Sequence, residues 1–109
     1  MFLARVIGQV VSTKKEADMK GRRLLLVRPM LVDPQDATRF VPGNNTIVAV
    51  DAIGAGQNDM VMFVQGSSAR ACEGLKAVPV DAAIVGIVDS VDVHGKQIFS
   101  ASTDTPASS

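Results

Sequence analysis

Short apolar runs separated by polar, turn-rich interruptions run the length of the chain, and their spacing is that of strands. Between Phe2 and Thr13 the residues Val6, Ile7, Val10 and Val11 are β-branched, and the run ends in the charged segment KKEADMKGRR with Gly21 at its turn. This predicts a strand leading into an exposed loop. LLLVRPML (24–31) predicts a second strand, ended or placed at an edge by Pro29, which has no N–H to give to a ladder. LVDPQDATRFVPGNN carries two prolines, several turn formers and the Pro42-Gly43 pair, and reads as a long surface loop. TIVAVDAI is a third strand and MVMFVQ a fourth, joined by GAGQND. SSARACEG allows a turn or two of helix, 68–74, opened by a Ser67 or Ser68 cap and closed by Gly74. DAAIVGIVDSVDV predicts a fifth strand with Gly86 as a bulge or close contact, and His94-Gly95 turns the chain into a short last strand, KQIFS.

Five or six short strands with one small helix point to an all-β fold, a small five-stranded OB-like barrel. Residues 1–99 form a single domain in this reading, and 100–109 a flexible polar tail. The strands also carry a surplus. A half-buried strand alternates apolar and polar residues, yet LLLVRPML, TIVAVDAI and AAIVGIV are apolar on both faces for most of their length. A lone barrel has one interior, so Leu24, Leu26, Ile47, Ile84 and Val88 each call for a second apolar neighbour. The economical source is another copy of the chain, which predicts a homo-oligomer.

Composition narrows the function classes. With 109 residues there is room for one core, and 47% hydrophobic residues is an ample supply for it. Eleven Lys and Arg cancel eleven Asp and Glu, removing the basic footprint of nucleic-acid or anionic-membrane binders. No Trp or Tyr and four Phe leave little for the stacking platform that single-stranded nucleic acid needs. A single cysteine, Cys72, excludes an internal disulfide and suits a reducing compartment, with the cytosol as default. MFLARVIGQVVS lacks a basic leader, and Arg5, Gly8 and Gln9 break its apolar run, so no signal peptide is expected. No apolar stretch approaches the roughly 18 residues of a membrane-spanning helix.

Two segments could carry chemistry. Gly54-Ala55-Gly56 suggests a phosphate cradle, but a dinucleotide site wants its glycines to open a long helix, whereas these lead into an apolar β run. The structural alternative is that Gly54 and Gly56 supply positive φ or close backbone approach, with Asp51 or Asp59 bonding turn amides. Gly66-Ser67-Ser68 resembles the strand-to-helix corner at which hydrolases expose a serine. A nucleophilic Ser67 needs a base, and the sole histidine, His94, lies in a polar turn near the carboxyl end. A Ser–Lys pairing, or self-cleavage of the Gly66-Ser67 bond to a pyruvoyl group, stays chemically open; helix capping explains both serines without further assumption. Arg70 could grip a carboxylate or carbonyls of a neighbour, or be an exposed helix charge. One His and one Cys make no zinc set, and the acids lack calcium-loop spacing, so no metal or other cofactor is expected.

FLARVIGQVVSTKKE, GRRLLLVRP, VDAIGAGQND, GSSAR and PVDAAIVGIVDSV, in that order, resemble the EutN/CcmL family of bacterial microcompartment vertex proteins over residues 2–93. The resemblance implies a five-stranded OB-like barrel that assembles as a pentamer. Such pentamers cap the corners of a polyhedral shell in the bacterial cytoplasm, with hexameric shell proteins as neighbours and no catalytic residues. Asp51, Gly54, Ala55 and Gly56 match its D-x-x-G-A-G; Gly66, Ser67, Ser68, Ala69 and Arg70 match G-S-S-A-R; Pro79, Val80 and Asp81 match P-V-D. These twelve are candidate assembly residues. The 32–45 loop and the tail ASTDTPASS depart from shorter family members and bear on contacts with adjoining tiles.

Overall fold

The computed structural model describes residues 1–11, 23–66 and 81–102. Eight strands follow one another: β1 (Phe2–Val10), β2 (Arg23–Asp33), β3 (Asp36–Pro42), β4 (Ile47–Asp51), β5 (Met60–Gln65), β6 (Ala82–Ile87), β7 (Ser90–Val93) and β8 (Lys96–Ser100). The order β1-β5-β6-β4-β2 closes on itself through a β1–β2 pairing, which gives a five-stranded barrel, while β3 hangs on β2 and β7–β8 form a separate hairpin. β4 and β6 run parallel; the other pairs described are antiparallel. The expected all-β, five-stranded OB-like barrel is what the chain forms. Its proposed helix, 68–74, falls outside the described residues.

The barrel closes because alternate residues find a common interior. Ala4 and Val6 of β1, Leu25 and Val27 of β2, Ala49 of β4, Val61 and Phe63 of β5, and Ala82 and Ile84 of β6 pack together, with Ile47 against them. Five strands leave a narrow lumen, and the alanines let the large Phe63 and Leu25 fit. Two bulges help the sheet curl. On β1 the register passes from Val6↔Val27 to Gly8↔Leu26, skipping Ile7. On β6 it passes from Ile84↔Phe63 to Gly86↔Met62, skipping Val85. Gly86 thus sits at a bulge as expected, and a Cβ there would lie 2.5 Å from Met62 Cε.

Several expectations are corrected. The 31–45 segment is no loop: β2 runs on to Asp33 and returns as β3, so its Pro34-Gln35 dipeptide is a hairpin turn. Turn chemistry was legible there, but Leu31, Val32, Phe40 and Val41 were enough to make strands on either side of it. Pro29 does not end β2. It lies where β2 changes partner, after Val27↔Ile47 of β4 and before Met30↔Pro42 of β3, so no neighbour on that side needs its missing N–H. Its carbonyl accepts from Gly43 N at 2.8 Å. The segment 81–93 is two strands, because the chain breaks at Val88-Asp89 between the barrel and the β7–β8 hairpin.

The premise of a single interior also fails in part. A second cluster lies on the outer side of β1 and β5, where Met60, Val88 and Phe99 are buried among Leu3, Met30, Phe40, Met62 and Val91. β3 and the β7–β8 hairpin supply its far wall. Val88 therefore finds its partner within the chain, while Ile84 and Ile47 belong to the barrel core. Leu24 and Leu26 remain half-buried on the outer face, beside Val48, which is 48% exposed.

Candidate functional site

The segment from Asp51 to Asp59 gathers the polar order of the molecule. Asp51 is the last residue of β4, and its period-2 position turns the side chain inward, where no part of it meets solvent. Burial of a carboxylate requires compensation, which comes from the following loop. Oδ1 accepts from the backbone N–H groups of Ile53 (3.1 Å) and Gly54 (3.2 Å), and Oδ2 from that of Ala55 (3.0 Å). Arg23, opposite Asp51 in the β2–β4 register, donates Nη1 to Oδ2 at 2.9 Å and to the Ala55 carbonyl at 2.9 Å. Gly54 takes φ +91°, a conformation that costs a residue with a Cβ about 1–2 kcal/mol. The wrap it allows sends Ala55 into the barrel core with no exposed surface.

The second half of the loop docks on β1. Asp59 Oδ2 accepts from Gly56 N at 2.8 Å, and Gly56 itself has no positive φ. Asn58 does, at +71°; its N–H donates to the Val6 carbonyl, and Val6 N donates to the Asp59 carbonyl, both at 2.9 Å. Gln57 Nε2 reaches the carbonyl of the bulged Ile7 at 2.9 Å. These bonds satisfy the backbone at the β1 bulge.

This geometry decides the glycine question. Consecutive N–H groups converging on one point are what a phosphate would use, but here the Asp51 carboxylate occupies that point. The nest is filled by its own chain, and the loop is a rigid strap. Asp51 and Asp59 bond turn amides as the sequence suggested, and Gly54 supplies the positive φ; Gly56 contributes its N–H instead.

Of the remaining candidates, Gly66 has φ +67° and donates its N–H to the Asp81 carbonyl at 2.8 Å, tying the end of β5 to the start of β6. Asp81 is exposed. Ser67, Ser68, Ala69, Arg70, Cys72, Pro79 and Val80 lie outside the described residues. His94 occupies the β7–β8 turn with φ +52°, followed by Gly95 at +78°. Among the described residues no three His, Cys, Asp or Glu side chains gather as a metal site, and no helix is long and apolar enough to cross a membrane.

Two features escaped the sequence. Arg23 had no local signal, since its role depends on which strand pairs with β2. Beside the strap, Gln57, Asn58 and Asp59, with Met60, Ile87, Val88, Phe99 and Ala101, line an open recess of about 200 Å³. That is below the roughly 300–1,000 Å³ of an ordinary small-molecule site. Arg5 contacts two of these lining residues, with Nη1 donating to the Asn58 carbonyl at 2.8 Å and its guanidinium 5.9 Å from the Phe99 ring centre.

Known proteins agree with this picture along nearly the full length. The EutN/CcmL family model, described as "Ethanolamine utilisation protein EutN/carboxysome", matches residues 1–89. The microcompartment shell vertex protein GrpN of Rhodospirillum rubrum is 41% identical over 92 residues, covering 84% of this chain and 97% of GrpN. The shell vertex protein EutN of Escherichia coli is 40% identical over 99 residues, covering 91% of this chain and 98% of EutN. Among solved structures, Gloeobacter violaceus CcmL superposes with a TM-score of 0.80 at 37% identity, covering 94% of this chain and 99% of that one. Pentameric GrpN superposes with a TM-score of 0.70, covering 85% of this chain and 98% of that one. With its barrel, its glycine strap and its chain-long likeness to these proteins, the chain belongs to the EutN/CcmL family.

Proposed function

We propose that this chain is the pentameric vertex subunit of a bacterial microcompartment shell, lying in the bacterial cytoplasm, and that its work is structural and not catalytic. The observation that carries the reading is the full-length match, in sequence and in fold, to shell vertex proteins that include a pentameric one at 41% identity. The mechanism is geometric. A five-fold tile set among six-fold tiles of hexameric shell proteins removes one sector from a flat lattice, and the missing sector forces the curvature that closes a polyhedron.

Such a tile has to hold its angles, and the Asp51 strap suits that task by fixing the loop to both β2 and β1. Asp51, Gly54, Ala55 and Gly56 act on assembly through the shape of this loop. Gly66, Ser67, Ser68, Ala69 and Arg70, with Pro79, Val80 and Asp81, fall in the sequence between β5 and β6 and complete the proposed set of assembly residues.

Light scattering on the purified chain tests the assembly: a five-chain mass is expected, and a stable monomer overturns the reading. The competing enzyme based on Ser67 predicts either a self-cleaved chain or an activity lost in Ser67→Ala. Intact mass spectrometry should find the unprocessed full-length chain.

A further inference from the structure

Three of the five methionines, Met30, Met60 and Met62, share the outer cluster. Met30 comes from β2, where that strand passes from β4 to β3. Met60 and Met62 stand two apart on β5, opposite Arg5 and Leu3 of β1, and so on one face. What this sulfur-rich patch holds down is the β7–β8 hairpin. The hairpin is a sheet of its own, and two strands by themselves are marginal in water. Its base is fixed by Val88 N, which donates to the Met60 carbonyl at 2.8 Å. Beyond the base, side chains dock it: Phe99 is buried in the cluster with Val91 packed against it, and the Arg5 guanidinium stands 5.9 Å from the Phe99 ring centre.

We propose that Met30 and Met62 are peroxide-sensitive modification sites that fasten this hairpin to the barrel: their conversion to sulfoxides releases β7–β8, and their reduction docks it again. The device lies within one chain, so it goes beyond the vertex reading without resting on it. A thioether is apolar and adapts its shape to aromatic neighbours such as Phe40 and Phe99 of the same cluster, whereas a sulfoxide carries a polar oxygen that is costly to bury among apolar side chains. In the step itself the sulfur lone pair attacks one oxygen of hydrogen peroxide. The O–O bond breaks as the S–O bond forms, the proton on the transferred oxygen passes to the departing hydroxide, and water leaves. Sulfur gives up two electrons and the peroxide takes them. Met30 and Met62 are only partly buried and within reach of peroxide, while Met60, 2% exposed, is reached once the hairpin lifts. Met62 has little slack for an added oxygen, because its methyl end lies so close over Gly86 that a Cβ there would come within 2.5 Å of it.

Hydrogen exchange on the full chain before and after dilute hydrogen peroxide tests this. Peptide-level mass spectrometry follows each methionine and separates these sites from Met1, which is 75% exposed. Met30 and Met62 should gain oxygen before Met60. Amide protection across Ser90–Ser100 should then fall by about tenfold or more, while the barrel amides of Leu25, Val27 and Ala49 keep theirs. Methionine sulfoxide reductases A and B together should restore it. The double variant Met30→Leu, Met62→Leu conserves volume, its folding can be verified by circular dichroism, and it should keep hairpin protection through the same treatment. Unchanged hairpin protection after full conversion of Met30 and Met62 overturns the proposal, as does oxidation of Met60 ahead of them. An equal loss in the barrel, an equal loss in the double variant, or a loss that the reductases do not reverse overturns it too. The mass of the assembly plays no part in these readouts, so a failure here leaves the vertex reading standing.

Discussion

Asp51 shows how one side chain sets a loop. Its carboxylate is buried, accepts three backbone N–H groups and pairs with Arg23. Asp51→Ala leaves those amides without their acceptor, and each buried donor left unsatisfied costs about 1–3 kcal/mol. Thermal unfolding at fixed protein concentration should show a fall in Tm of about 10 °C or more. Arg23→Ala should cost less than Asp51→Ala, because the Arg23 side chain is 45% exposed and water can replace it. Gly86 acts through sterics alone. A methyl there meets the mobile end of Met62, so Gly86→Ala should cost about 1 kcal/mol, the low end for overpacking. A double-mutant cycle with Met62→Ala should recover part of that loss, and strict additivity would show that Met62 is not the obstacle.

Among the described elements, the β2–β3 hairpin holds two carboxyl groups whose pKa is shifted. Hydrogen bonds from Gln35 N–H and then from the Arg39 guanidinium hold the Asp33 carboxyl below its ordinary value of 3.8. The hydroxyl and then the N–H of Thr38 do the same for Asp36. For an acid with a depressed folded pKa, the associated stability is complete above the unfolded value and disappears as pH falls through the folded one. Amide protection factors across Asp33–Thr38, taken relative to the intrinsic exchange rate at each pH, should therefore be flat above about pH 4 and fall only below 3.8, and Asp33→Asn should remove its share of the fall while leaving that of Asp36. Asp36 is solvent-exposed, so salt should blunt its share, and the Asp33 pair should be screened less because that carboxyl side chain is only 13% exposed. The turn residues here were plain in the sequence; the strands around them were not, because DPQD announces a turn without saying that both flanks will pair. The β7–β8 turn was legible for a firmer reason: His94-Gly95 places φ > 0 at two consecutive residues, as a tight hairpin demands.

For the whole molecule, the barrel is closed by pairing its first strand with its second and fifth, and part of the surplus apolar surface is taken up by an outer cluster while Val48 stays 48% exposed. A cell lacking this subunit but retaining its hexameric partners should build open or elongated shells, because six-fold tiles alone stay flat. Electron microscopy checks this, and normally closed polyhedra would contradict it. Restoring the gene as Asp51→Ala should give fewer closed shells than restoring the wild type.

By itself the sequence determined the all-β class, the barrel, the turns at Gly54 and His94-Gly95, the bulge at Gly86 and the family. These follow from local conformational preference and short motifs, which need no knowledge of distant neighbours. Only the tertiary structure decided that Asp51 would meet Arg23, that Pro29 would sit harmlessly inside β2, and that Val88 would be buried by the chain's own hairpin. Each depends on strand register and on which sheet face a later segment covers. Apolar side chains carry no label for the partner that will bury them, so the surplus was visible in the sequence while its division within the chain was not.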